Sequence, residues 1–302
     1  MTWIFWSLVF GSMAAGLVLA IVWWLIRGRR DGLPTGLVAA FSLVAGLTAL
    51  SGDVALRLIS VPLLPFDLLS GFWGWYADYR FTFPLLLGVL TLVILAIPVR
   101  GRGGHGAAEL APRTPLSFGR RWWFISPLVV LTIILVTTVI AGFASQPDPE
   151  GRYSMYYVEL GTGGMGASIY GWFYSVPCLI LTAVVIGVTV TDLTLIARPA
   201  LAEDMVRDVR ERKTRTRNVL AVATGTLLLH LGLIFSSLAG TASARASFPV
   251  DGGSMTFWTS FAALQPVFTG ASYAVAALGY ALWATVLLSA IPTRRPAPVP
   301  AR

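Results

Sequence analysis

Apolar stretches of about 20 residues recur along this chain, and that recurrence constrains it more than any motif does. A helix needs about 20 such residues to cross about 30 Å of hydrocarbon. Segments near 3–26, 36–56, 81–99, 123–144, 170–196, 219–240 and 270–291 meet that requirement. The pattern predicts an all-α fold, a polytopic transmembrane bundle of about seven spans that forms one integral membrane domain over 1–302. Composition agrees. Of 302 residues, 56% are hydrophobic and 12% charged, with a mean hydropathy of +0.75, whereas soluble domains carry about 25% charged residues. A chain so poor in charge cannot cover a water-facing globule, so its expected partner is the lipid bilayer. The second segment is the least regular, because its apolar core ends at Ser51. Asp53 and Arg57 then follow one helical turn apart, where they can pair.

The arginines give the bundle a direction. With the N-terminus outside, the inside loops collect Arg27, Arg29 and Arg30, then Arg100, Arg102, Arg113, Arg120 and Arg121. Arg198, Arg207, Arg210, Arg212, Lys213, Arg215 and Arg217 follow, and the tail adds Arg294, Arg295 and Arg302. Only Arg57, Arg80, Arg152 and Arg245 remain outside, out of 22 basic residues. This is the asymmetry of the positive-inside rule. It predicts an odd number of spans, a cytoplasmic C-terminus and a cell-membrane location, a bacterial inner or plasma membrane. The net charge of +8 lies between apolar segments, so it reads as a topology signal and not as a nucleic-acid groove. The first segment lacks a basic start and is followed directly by arginines, which reads as an uncleaved anchor.

Two polar faces stand out within the spans. His230 lies in the sixth, with Thr226 four residues before it and Ser237 seven after, so the three share one helical face. Asp192 lies toward the inner end of the fifth, with Thr182 and Thr189 on its face. Ionisable groups at membrane depth are functional candidates by default. The structural alternative for His230 is a neutral ring bonded to a carbonyl or hydroxyl of a neighbouring helix. For Asp192 it is pairing with an inside arginine. The two can face each other across helices five and six. His105, the other histidine, falls in an inside loop, which argues against bis-histidine haem. Cys178 is the single cysteine, so neither a disulfide nor a cysteine metal site is expected, and no cofactor or metal is assigned.

The loops add further expectations. Residues 53–79 mix apolar side chains with Pro62, Pro65, Asp67, Trp73, Trp75 and Asp78, and read as one or two short helices on the outer surface. Loop 145–169 is acidic and aromatic and contains Gly161, Gly163, Gly164 and Gly166. It lacks the preceding strand and soluble helix of a phosphate-binding loop, so a structured loop capping a cavity is expected. Seven acids against four arginines give the outside a net −3, which mildly favours cationic partners. Residues 199–218 form a charged cytoplasmic helix between spans five and six. Pro199 suits its first turn, and Glu203–Arg207, Asp208–Arg212 and Glu211–Arg215 are spaced to pair. Leu201, Met205 and Val209 make a narrow stripe that would dock a cytoplasmic partner or rest on anionic lipid.

Small residues at four-residue spacing (Gly11 with Ala15, Ser12 with Gly16, and Ala277, Ala281 and Thr285) favour close helix contact. Aromatic patches precede Pro84, Pro177 and Pro266 in three successive hairpins, the spacing of an internal repeat or simply of interfacial belts. The chain has no nucleotide-binding, zinc-protease or serine-hydrolase motif. The functional expectation is therefore non-enzymatic: a permease-like or transport-complex membrane subunit, or alternatively a sensor or assembly scaffold with recognition loops outside. An intramembrane enzyme would need several convergent polar groups, and the spans offer one histidine and one acid.

Overall fold

In the computed structural model, residues 2–27, 36–59, 72–97, 114–160, 163–197, 205–250 and 253–291 are described. Arg198, Pro199, Leu201, Glu203, His105 and the stretch from Pro62 to Asp67 lie outside them.

Of the described residues 77% are helical, and among them six helices are long and apolar enough to span a membrane. These six are α1 (Thr2–Ile26), α2 (Leu37–Ile59), α5 (Arg121–Ala144), α6 (Trp172–Ala197), α7 (Met205–Ala242) and α8 (Gln265–Ser289). Between them come α3 (Phe72–Tyr79) and α4 (Phe83–Ala96). The irregular second segment is a continuous helix of 23 residues. The third is the short one: α4 has 14 residues, about 21 Å at 1.5 Å per residue. Pro84 sits in its first turn, where the missing N–H costs nothing. Pro266 does the same for α8, whereas Pro177 lies inside α6.

The bundle is organised around α7. Every residue from 218 to 232 is buried, because α2, α4, α5, α6 and α8 all touch this helix. Two polar clusters mark opposite ends. Near one, the Asn218 side chain donates to the hydroxyls of Ser42 (3.2 Å) and Ser289 (2.8 Å). Toward the other, Asp53, Arg57 and Tyr280 interlock with the backbone of α1. We call the first the arginine end and the second the hairpin end.

The small-residue spacings work where they face α8. A side-chain carbon on Gly16 would meet the Tyr280 Cβ at 2.6 Å, while Gly11 has open space around it. A second close crossing, between α7 and α8, lies outside those spacings. A Cβ on Gly225 of α7 would lie 2.7 Å from the Trp283 Cδ1, and one on Gly279 of α8 would lie 2.9 Å from the Gly225 carbonyl oxygen.

The expectation of a purely helical chain needs correcting at the hairpin end. β1 (Gln146–Pro147), β2 (Tyr153–Leu160) and β3 (Gly163–Ser168) form an antiparallel sheet in the order β1-β2-β3. β4 (Arg245–Val250) and β5 (Gly253–Trp258) form a hairpin with Val250 opposite Gly253. Backbone groups leaving a helix need new partners, and these ladders supply them outside the apolar segments. The glycine-rich stretch is thus a strand, with Tyr156 opposite Ala167 and Tyr157 opposite Gly166. Tyr156 of β2 reaches the segment just after β5, where it hydrogen-bonds Ser260 at 2.7 Å and packs edge-on against Phe261. Thr241 ties α7 to β3 by donating to the Ser168 carbonyl at 2.6 Å. A second correction concerns 199–218: its described part, from Met205 onward, is no separate helix but the first turns of α7.

Candidate functional site

The two polar faces read from sequence do not form one site. His230 is 1% exposed and fully engaged. Its Nδ1 lies 3.0 Å from the Phe81 carbonyl oxygen, which can only accept, so that nitrogen carries the proton. Nε2 then accepts from the Tyr170 hydroxyl at 3.2 Å. Both partners sit just before helices, at the heads of α4 and α6, so the ring bolts these heads to α7. Thr226 is buried against Gly88 with its hydroxyl unpartnered, whereas Ser237 is only half-buried.

Asp192 is 1% exposed, and neither carboxylate oxygen has a hydrogen-bond partner. Arg215 is the opposing charge that acts on it. Thr189 donates to the Val185 carbonyl at 2.7 Å, and the Thr182 hydroxyl is unpartnered. Along α7, Arg215 and His230 are separated by 15 residues, about 22 Å. The structure therefore places Asp192 toward the arginine end and His230 toward the hairpin end, and it does not bring them together.

A different constellation does converge. Asp53 and Arg57, read in sequence as a plain one-turn pair, bond at 2.7 Å. The Tyr280 hydroxyl donates to the same Asp53 oxygen at 2.6 Å, and Arg57 reaches Tyr280 at 2.5 Å and the Val9 carbonyl of α1. This knot joins α1, α2 and α8 and lines a cavity of about 400 Å³. The cavity follows α7 from Ala239 to Leu229 and α8 from Thr269 to Tyr280, about 15 Å along each helix. Its wall adds the hydroxyls of Ser12, Ser236 and Ser272, and Arg80 at the hairpin end.

Arg80 is the informative residue. Its Nε is buried without a hydrogen-bond partner, and among the described residues it has no acidic partner. Its guanidinium lies over the Phe81 ring at 4.8 Å. Two arginines against one aspartate leave the cavity net positive. Among the described acids of the hairpin end, Asp78, Asp148 and Glu150 converge on Arg152, and Asp53 is bonded to Arg57. Below the cavity, Tyr280 and Trp283 are fully buried, and the Trp283 Nε1 donates to the Val222 carbonyl at 3.4 Å. Tyr280 carried no sequence signal, since its partners lie 223 and 227 positions away.

Among the described residues no group of three or more His, Cys, Asp or Glu could hold a metal ion. No protein-family model, curated protein or solved structure matches the chain. The class that fold and cavity define is thus a helical bundle with the apolar helices of a membrane protein and a polar, arginine-lined chamber at one end.

Proposed function

We propose that the chain is a multi-pass protein of the cell membrane, with its N-terminus outside and its C-terminus cytoplasmic, and that its chamber binds a small anionic solute from the outer side. In this reading it serves transport, as a permease-like or transport-complex subunit. The observation that carries the reading is Arg80: a guanidinium with a buried, unbonded donor beside a 400 Å³ chamber. A buried donor left unmatched costs about 1–3 kcal/mol, and an anion entering from water would satisfy it. The chamber's size falls within the range of small-molecule sites, roughly 300–1,000 Å³. The floor of Tyr280 and Trp283 would keep such a solute from leaking through.

Uptake into proteoliposomes of a panel of small carboxylates, phosphate and sulfate, with cations and neutral solutes as controls, tests the proposal. Anions should be bound or carried, and Arg80→Gln should weaken the effect about 10- to 100-fold, the worth of one charge-assisted hydrogen bond. Equal handling of cations, or an unchanged Arg80→Gln, would count against an anion site.

A second reading has its own observation. α7 is one continuous rod of 38 residues, tied to β3 at one end through Thr241 and carrying the Asp208–Arg212 pair at the other. A sensor or scaffold would use that rod to report from the hairpins to a cytoplasmic partner at 205–218. Purification in mild detergent separates the two, since a stoichiometric kinase or envelope enzyme would favour the sensor and an ATPase would favour transport.

A further inference from the structure

We propose that the concave pocket at the arginine end is a binding site for the phosphate headgroup of an anionic phospholipid, with a diphosphate lipid as its best-fitting occupant. The pocket holds about 1,220 Å³. Three separate elements bring cations to it: Arg27 at the end of α1, Arg120 at the start of α5, and Arg210, Lys213 and Arg217 along the first turns of α7. No acidic side chain is among its described lining residues. The neighbouring Asp208 accepts from Arg212 at 2.7 Å.

Five like charges around one concavity repel one another, and a bound anion relieves that repulsion. The start of α5 adds to the demand. Arg120 occupies its cap position with no side-chain bond to the first-turn N–H groups, and such a helix end attracts phosphate.

Two further features favour a lipid over a soluble anion. The pocket lies where the apolar α1 ends and α5 begins, and Trp23 and Trp123 line it. Tryptophan gathers at the headgroup level of a bilayer. Arg217 already lies over the Trp23 ring at 5.7 Å, as a side chain at that boundary would. Basic pockets between membrane helices are the sites that bind lipids carrying two phosphates. The inference requires the bundle to sit in a bilayer but not in a given direction, so it stands or falls separately from the solute chamber.

The test compares the purified full chain in nanodiscs of phosphatidylcholine alone with nanodiscs that also contain cardiolipin. Native mass spectrometry reads the retained lipid and the melting temperature reads its effect. Cardiolipin should be retained and should raise the melting temperature, and phosphatidylcholine should do neither. Each phosphate-facing cation is worth about fivefold in affinity, so Arg120→Gln with Lys213→Gln should weaken retention roughly 25-fold. The charge-conserving pair Arg120→Lys with Lys213→Arg should hold the lipid to within a few-fold and serves as the control for folding. Equal retention of phosphatidylcholine, or full retention by the glutamine pair, overturns the site. Inorganic phosphate or pyrophosphate giving the same melting shift overturns the lipid as the source. A protein that co-purifies through these residues while cardiolipin does not bind also overturns it.

Discussion

Asp53 shows how far one side chain's role depends on partners distant in sequence. Alone with Arg57 it would be a one-turn pair on a helix surface, worth about 0.2–0.5 kcal/mol. In the structure it is 7% exposed and accepts from both Arg57 and Tyr280. Removing one member of a buried ion pair strands the other charge and costs about 3–5 kcal/mol, far more than the intact pair contributes. Asp53→Ala should therefore lower the unfolding midpoint strongly in detergent, and Arg57→Ala should do so as well. The double variant should lose clearly less than the sum of the two, because it leaves no orphan charge. Additive losses in that double-mutant cycle would mean the two side chains are not coupled.

At the scale of single elements, the 146–160 turn offers a pH prediction. Burial alone would raise the Asp148 carboxyl. Hydrogen bonds from the Arg152 N–H, the Ser154 hydroxyl, the Arg152 guanidinium and the Glu150 N–H outweigh it and hold the group below its ordinary 3.8. A lowered carboxyl stabilises the turn above pH 3.8, and that contribution fades as pH falls through the folded value. Gly151, at φ +81°, lets the chain turn back so that these donors reach the carboxylate. The Arg152 amide resonance of detergent-solubilised protein should titrate with a midpoint below 3.8, and Asp148→Asn should abolish that titration. A midpoint at or above 3.8 would rule out the network.

This same element shows what sequence carries and what it does not. The long helices follow from long apolar stretches, so all but the start of α7 were legible to within a few residues; α7 begins at Met205, well before its apolar run. The hairpins were partly legible. Asp251 and Gly252 between the alternating runs Arg245–Val250 and Gly253–Trp258 are a strong hairpin signal that the reading of apolar spans passed over. β3 gave little, since glycine is depleted in strands and only its partner β2 makes it one. The chamber was least legible. His230 and Asp192 look important because charge is rare in spans, yet His230 is a saturated structural tie. Arg57, Tyr280 and Arg80 converge only through the packing of α1, α2 and α8 and the entry to α4.

For the whole molecule, the number of crossings rests on α4, not on the irregular second segment. A helix of about 21 Å falls roughly 9 Å short of an average hydrocarbon layer, a mismatch that costs fractions of a kcal/mol per Å. α4 is held on three sides by α2, α6 and α7, and its outward Leu86, Leu90 and Val93 are exposed as lipid-facing residues would be. Local thinning of the bilayer at this helix is therefore cheaper than expelling it, and α4 should cross. If it does, Ala77 and Leu116 lie on opposite sides of the membrane. With Cys178 replaced by alanine, single cysteines at Ala77 and Glu150 should react with a membrane-impermeant maleimide in intact cells. Cysteines at Leu116 and Lys213 should react only after permeabilisation. Ala77 and Leu116 reacting on the same side would make α4 a re-entrant hairpin and the count even. All four sites reversed would keep seven crossings but turn the chamber inward, so that its solute would come from the cytoplasm and the phosphate pocket would face the outer leaflet.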